Sequence, residues 1–178
     1  HRHEPFMSRS PGIKTAFLVA LFYNVFSIVA LARHQGDPLW FVWIGERYAN
    51  LDPEGRTGYD GQFIYYLARD GRDAIPHLDN PGYRLQRILL PVVVRVLSLG
   101  APALIPWVLI VVNLTAIVAT TTMLARWLED QDLSPGYAAI YPLYVGTFLA
   151  YSRALTEPLA FCLVTWGIML WFRDRKTQ

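Results

Sequence analysis

Two long uncharged stretches limit this chain to a small number of folds. Residues 15–32 and residues 103–125 contain no Asp, Glu, Lys or Arg. Roughly twenty apolar residues are needed for a helix to cross the hydrocarbon core of a membrane. Of all residues, 53% are hydrophobic and 17% are charged, whereas about a quarter of a soluble domain is charged. The sequence therefore predicts an integral membrane protein built from helices.

Charge and cysteine content exclude two other classes of protein. The formal net charge of +2 is too small to indicate a nucleic-acid-binding surface. The single cysteine, Cys162, excludes an internal disulfide and a cysteine-rich metal site. His34 and His77 have no partner at the spacing of metal ligands. We therefore expect no nucleic-acid partner and no metal cluster.

The hydropathy pattern predicts an all-α fold, a polytopic transmembrane helical bundle of four to five membrane segments. A long first external loop with juxtamembrane helices separates the first segment from the others. The predicted boundaries are a cytoplasmic tail at 1–14, a transmembrane helix at 15–32, the loop at 33–84, membrane segments near 85–101, 103–126, 136–152 and 157–172, and a tail at 173–178.

Two topology rules disagree for this chain. Arg9 and Lys14 flank the first span, and the positive-inside rule then places the N-terminus in the cytoplasm and the long loop outside. Five spans would put the basic residues 173–176 outside and Glu157 in the cytoplasm. If one short segment is re-entrant or interfacial, the tail is inside and Glu157 shares the side of Asp60. The sequence leaves both topologies open.

For three features in or near the loop, the sequence predicts a position relative to the membrane. Arg95 lies inside the predicted span 85–101, and we expect its side chain to snorkel to the cytoplasmic face. Residues 38–44 are too short to span and contain two tryptophans, which predicts an interfacial segment. Residues 62–69 predict a short helix on the bilayer surface.

Asp60 is the first candidate for chemistry. It follows a glycine-containing turn and precedes Gly61, at the start of the predicted helix. Its carboxylate could cap that helix. It could also act as a general base that takes a proton from an acceptor hydroxyl at the membrane surface.

Arg84 and Arg87 are the second candidates. They are three residues apart and share a helical face, with Tyr83 on the same side. The planar guanidinium group matches two phosphate oxygens at once, which suits a lipid phosphate. The alternative is a pair of interfacial arginines that anchor a helix end.

Glu157 is the third candidate, because ionisable residues beside spans are rare and usually functional or paired. Arg153 precedes it by four residues. The alternative interpretation is therefore an ion pair across a helix break.

Three runs of residues resemble a known family. They are Tyr-Asp-Gly-Gln-Phe at 59–63, Leu-Asp-Asn-Pro-Gly-Tyr-Arg-Leu-Gln-Arg-Ile-Leu-Leu-Pro at 78–91, and Leu-Thr-Glu-Pro-Leu-Ala at 155–160. They resemble the bacterial C-type glycosyltransferases, related to polyprenyl-phosphate-mannose-dependent mannosyltransferases, over residues 37–172. The resemblance implies a polytopic helical fold whose first external loop carries an acidic residue acting on the acceptor. On that basis Asp60 acts on the acceptor, Arg84 and Arg87 hold the donor phosphate, and Glu157 matches an acidic residue before an apolar helix.

The leading hypothesis is an inverting membrane glycosyltransferase, or its N-terminal module. It would transfer a hexose such as mannose from a polyprenyl-phosphate donor to a hydroxyl of a cell-envelope glycan or glycolipid. The predicted catalytic residue is Asp60. The predicted substrate-binding residues are polar side chains of the loop and its flanking helices: Tyr59, Gln62, Tyr83, Arg84, Arg87, Arg153 and Glu157.

This hypothesis also defines cofactors, partners and location. No cofactor is required, and a divalent cation is compatible with it. The partners are the donor, membrane lipid and the acceptor. Because such enzymes have more spans, a partner subunit that completes the fold is a further expectation. The location is a bacterial plasma membrane, with the protein multi-pass and its loop outside. The alternative is a small non-enzymatic membrane scaffold or lipid-phosphate-binding subunit.

Overall fold

The computed structural model describes residues 11–175, and the side chains of residues 12–172. This part of the chain is all helical, as predicted, and forms no strand. The α-helices are α1 (Pro11–Arg33), α2 (Glu46–Ala49), α3 (Gly61–Asp70), α4 (Pro81–Leu85), α5 (Leu89–Leu97), α6 (Ile105–Glu129), α7 (Ile140–Leu143), α8 (Val145–Ser152) and α9 (Glu157–Arg175). Short 3-10 helices occupy Pro38–Phe41, Gly71–His77 and Pro135–Ala139.

The two predicted tails fall largely outside the described residues. Of the tail at 1–14, the structure describes Pro11 onward, where α1 has already begun. Of the tail at 173–178, it describes the backbone to Arg175, which still belongs to α9.

Two helices are long and apolar enough to cross a membrane. They are Gly12–Arg33 and Ile105–Glu129, and they contain the uncharged stretches of the sequence. Large apolar side chains point away from the protein on α1 and α9; Phe17 is 66% exposed and Trp171 is 59% exposed. Contiguous apolar surface of this kind is typical of a face that contacts lipid or another protein.

Helices α1 and α6 run antiparallel. The Gly12 backbone N–H donates to Glu129 Oε1 at 2.7 Å, so the start of α1 lies beside the end of α6. We call this the terminal end of the bundle. The opposite end, where α1 ends and α6 begins, carries residues 34–104, and we call it the loop end.

Helix α3 forms the centre of the loop end. Its residues 61–68 are all buried, against the 3-10 helix Gly71–His77, α5 and α6. The Arg95 guanidinium donates to the carbonyl oxygens of Ala68 and Arg69 at 3.0 and 2.8 Å. These carbonyls lie at the helix end, where no backbone partner follows. Two expectations are therefore wrong: α3 is enclosed by protein instead of lying on a bilayer surface, and Arg95 caps α3 instead of snorkelling to the other face.

Helix α5 is much shorter than the predicted segment 85–101. Its nine residues extend about 13 Å at 1.5 Å per residue, less than half of the roughly 30 Å hydrocarbon core. Its buried face packs on α3, and Leu99 and Gly100 end the region with positive φ values. Residues 85–101 are therefore divided among the end of α4, a turn and α5.

The chain after α6 returns to the loop end and then leaves it again. Tyr23 donates its hydroxyl hydrogen to the Pro142 carbonyl at 2.6 Å, near the middle of α1. The hydroxyls of Ser27 and Tyr151 lie 2.5 Å apart, one turn closer to the loop end. Helix α9 then begins at Glu157 at the loop end and packs along α6. The described chain thus passes between the two ends four times.

Candidate functional site

A buried arginine joins two carboxylates at the loop end. Arg84 Nη1 and Nη2 donate to Asp60 Oδ2 and Oδ1 at 2.8 and 2.9 Å. Its Nε and Nη2 also donate to Asp79 Oδ1 and Oδ2, both at 2.7 Å. The Arg84 side chain is 9% exposed, whereas those of Asp60 and Asp79 are 45% and 34% exposed. We call these three residues the Asp60–Arg84–Asp79 cluster.

Local sequence places Arg84 in this cluster. Asn80 caps α4 by accepting the Tyr83 backbone N–H, and Pro81 occupies the first turn, where its missing N–H has no cost. The guanidinium of Arg84 then lies over the Phe63 ring of α3, 4.2 Å from its centroid. This aromatic face favours the cation and fixes its plane.

Asp79 and Arg84 shift each other's pKa values. Hydrogen bonds from Arg84 lower the pKa of the Asp79 carboxyl below its ordinary value, against the effect of burial. Asp79, followed by Asp60, holds the pKa of the Arg84 guanidinium above its ordinary value. Sequence reasoning missed Asp79. Its signal was the Asp-Asn-Pro-Gly turn, which places a carboxylate just before the helix that carries Arg84.

Asp60 occupies the cap position of α3, but its side chain makes no capping hydrogen bond. The helix-cap interpretation is therefore wrong, because the carboxylate turns to Arg84 instead. Gly61 explains the close fit here. A Cβ at Gly61 would lie 2.1 Å from the Arg153 carbonyl oxygen, so only glycine allows this contact. The start of α3 is thus held against the segment between α8 and α9.

Arg87 and Glu157 meet beside the cluster. Arg87 Nη1 lies 3.6 Å from Glu157 Oε1, and Arg87 Nη2 donates to the Tyr83 hydroxyl. Glu157 Oε2 is buried and has no hydrogen-bond partner among the described residues. A small hollow lies between these groups, lined by side chains from three parts of the chain: Asp60, Phe63, Ile64, Leu67, Arg84, Arg87, Pro91, Leu155 and Thr156.

The predicted ion pair between Arg153 and Glu157 does not form. Helix α8 ends at Ser152 and Ala154 has a positive φ, so the four-residue helical spacing is broken. The Arg153 guanidinium instead lies over the rings of Trp40 and Trp43, at 5.0 and 4.3 Å from their centroids. Glu157 pairs with Arg87 instead.

The remaining predicted residues support the loop. Gln62 is buried; its Oε1 accepts the Gly45 N–H at 3.0 Å, and its amide group donates to the Thr57 carbonyl. Both ends of this side chain therefore hold loop backbone. Tyr59 stacks on Trp43 with ring centroids 6.1 Å apart and planes 10° apart.

Residues 12–172 contain no cluster of three or more His, Cys, Asp or Glu side chains that could hold a metal ion. Asp60 and Asp79 both direct their oxygens at one guanidinium. The arrangement instead provides an oriented, half-exposed carboxylate next to a second, loosely paired arginine.

The fold and site define an all-helical protein with two candidate membrane-spanning helices and a charged cluster at one end of the bundle. No family model, curated protein or solved structure matches this chain.

Proposed function

We propose that this chain is a membrane glycosyltransferase of the C type, or a module of one. It would transfer a hexose such as mannose from a polyprenyl-phosphate donor to a hydroxyl of a cell-envelope glycan or glycolipid. The observation that carries the proposal is the half-exposed Asp60 carboxylate. It is fixed by Arg84 and lies in one hollow with Arg87, at the end of a bundle of apolar helices.

The reaction needs a base and a cation within a short distance of each other. The acceptor oxygen forms a bond to C1 of the sugar while the bond between C1 and the phosphate oxygen breaks. The acceptor proton passes to Asp60, and the products are the glycoside and polyprenyl phosphate. A positioned base contributes roughly 10²–10⁴-fold to such a step, and a cation at the leaving phosphate stabilises the charge that develops there.

The geometry changes the roles of the two arginines in this proposal. Arg84 already donates four hydrogen bonds to carboxylates, so it positions Asp60 and does not bind the donor. Arg87 has one contact of 3.6 Å with Glu157 and one with Tyr83. Its remaining N–H groups are available for the donor phosphate, with Tyr83 as a second hydrogen-bond donor.

The proposal includes a location. Four passages between the two bundle ends would become four membrane crossings, with α5 lying on the outer side. The loop end then faces outward in a bacterial plasma membrane, and the terminal end of the bundle faces the cytoplasm. The large apolar side chains exposed on α1 and α9 support this arrangement. A partner subunit could contribute the acceptor site.

The test compares Asp60→Asn with wild type in reconstituted membranes. The measured quantity is radiolabelled mannose moved from a farnesyl-phosphate-mannose donor into a membrane acceptor. We expect a loss of at least a hundredfold with unchanged helical content by circular dichroism. Asp73→Asn is the matched control, because Asp73 is an exposed carboxylate of the same loop end. Equal transfer by both variants would refute the role of Asp60.

A second candidate function is a non-enzymatic scaffold or lipid-phosphate-binding subunit. The observation in its favour is that Arg84 donates four hydrogen bonds within the Asp60–Arg84–Asp79 cluster, which is typical of an ion-pair network that stabilises a fold. On this alternative, Asp60→Asn lowers stability and wild type transfers no sugar with any acceptor-containing membrane.

A further inference from the structure

A second charged cleft lies at the loop end, outside the Asp60–Arg84–Asp79 cluster. Its volume is about 640 Å³, and it lies between the end of α1 and the segment that joins α8 to α9. The residues that matter for its chemistry are two arginines, two tryptophans, a histidine and an aspartate: Arg33, His34, Asp37, Trp40, Trp43 and Arg153. We call it the Arg153 cleft.

The cleft is cationic. Arg33 and Arg153 contribute two positive charges, and Asp37 contributes one negative charge. The Asp37 carboxylate is already engaged, since its Oδ1 accepts the Leu39 backbone N–H at 2.9 Å as a helix cap. A positive cleft with partly apolar walls attracts and holds an anion.

Arg153 is poorly satisfied within the protein. Its Nε is buried and lacks a hydrogen-bond partner among the described residues, and its Nη1 makes one long bond of 3.4 Å to the Ser152 carbonyl. Burial lowers the pKa of this guanidinium from its ordinary value, and Tyr59 offsets only part of that effect. The Trp43 face, 4.3 Å from the guanidinium carbon, fixes its plane. Such a cation gains charge-assisted hydrogen bonds when an anion enters.

The position of the cleft identifies the class of anion. Arg33 is the last residue of the apolar helix α1, and His34 stacks on Trp40 with centroids 4.9 Å apart. Basic residues and tryptophans at the end of a spanning helix lie at the level of lipid headgroups. We propose that the Arg153 cleft binds the phosphodiester headgroup of an acidic membrane phospholipid. This site does not depend on the proposed transferase reaction.

The experiment measures lipid binding to the purified full chain in a non-ionic detergent by native mass spectrometry. The probes are dioctanoyl phosphatidylglycerol, dioctanoyl phosphatidylcholine and inorganic phosphate. The variants are Arg153→Gln, Arg33→Gln and the matched control Arg72→Gln, which removes an exposed charge of the same loop end. We expect Arg153→Gln to weaken phosphatidylglycerol binding about tenfold or more. Arg72→Gln should change it less than twofold.

Each comparison has a decisive outcome. Equal phosphatidylglycerol binding by wild type and Arg153→Gln overturns the proposal, as does an equal loss in Arg72→Gln. Binding of inorganic phosphate as strong as that of phosphatidylglycerol indicates a free-phosphate site and also overturns it. If Arg153→Gln does not fold, the Arg33→Gln variant provides the test, because Arg33 is exposed. The proposal then requires that Arg33→Gln weakens phosphatidylglycerol binding and leaves phosphatidylcholine binding unchanged.

Discussion

Replacing Arg84 by methionine tests the structural role of the Asp60–Arg84–Asp79 cluster directly. Methionine keeps an unbranched side chain but removes the guanidinium, and with it all four hydrogen bonds to the carboxylates and the cation over the Phe63 ring. Removing one partner of a fully buried ion pair costs about 3–5 kcal/mol. Here Asp60 and Asp79 are 45% and 34% exposed and regain water when Arg84 is lost. We therefore expect a loss of about 2 kcal/mol in unfolding free energy at pH 7.

Arg84→Lys is the matched variant. Lysine keeps the charge but not the planar fork, so it bonds one carboxylate at a time. We expect about half the loss of the methionine variant. Both are measured by equilibrium denaturation in detergent, followed by circular dichroism, and by hydrogen exchange of residues 79–85. An Arg84→Met variant as stable as wild type would refute this prediction. In that case the cost of desolvating the guanidinium would cancel the stabilisation from its four hydrogen bonds.

Acidification provides an internal check of the same prediction. The folded pKa of Asp79 is lowered below the ordinary value of 3.8 by Arg84. A carboxyl with a lowered folded pKa contributes stability that is fully present above its unfolded pKa and is lost as pH falls through the folded pKa. The difference between wild type and Arg84→Met should therefore be constant near neutral pH and shrink below pH 3.8. A difference that grows on acidification would contradict the assigned pairing.

Two further predictions concern the contacts around the cluster. Gly61→Ala should lower the unfolding free energy by about 2 kcal/mol or more, because the new methyl group meets the fixed Arg153 carbonyl at 2.1 Å. Thermal denaturation measures this, and a variant that unfolds at the wild-type temperature would contradict it. Glu157→Gln should strengthen binding of decyl phosphate two- to fivefold at low salt, since it frees Arg87 from an exposed pair of about 0.5–1 kcal/mol. Weaker binding in titration calorimetry would mean that Glu157 itself contacts the ligand.

The parts of the fold that follow from the sequence are those that depend on local composition. The uncharged stretches predict α1 and α6, since length and hydropathy alone identify such helices. The turn at Asp-Asn-Pro-Gly predicts the start of α4, because Asn80 and Pro81 are capping and first-turn residues. The helix predicted at 62–69 occurs at Gly61–Asp70.

The parts that do not follow depend on contacts between distant residues. Arg95 is a charge in an apolar run, and its use as a cap for α3 depends on the Ala68 and Arg69 carbonyls, 27 and 26 residues earlier. The partner of Asp60 is 24 residues away, whereas the local sequence alone equally favours a helix cap. Helical spacing predicts a pair between Arg153 and Glu157, and the positive φ at Ala154 breaks that spacing.

In the proposed topology, the short length of α5 removes the disagreement between the two topology rules. A chain with five crossings must place its two ends on opposite sides, although both ends are basic. With α5 packed beside α3 at the loop end, four passages remain, and an even number returns the chain to its starting end. Glu157 then lies at the same end as Asp60, which its contact with Arg87 requires independently. The same arrangement brings residues 59–63, 78–91 and 155–160 to one end of the bundle, as any shared site formed by them would need.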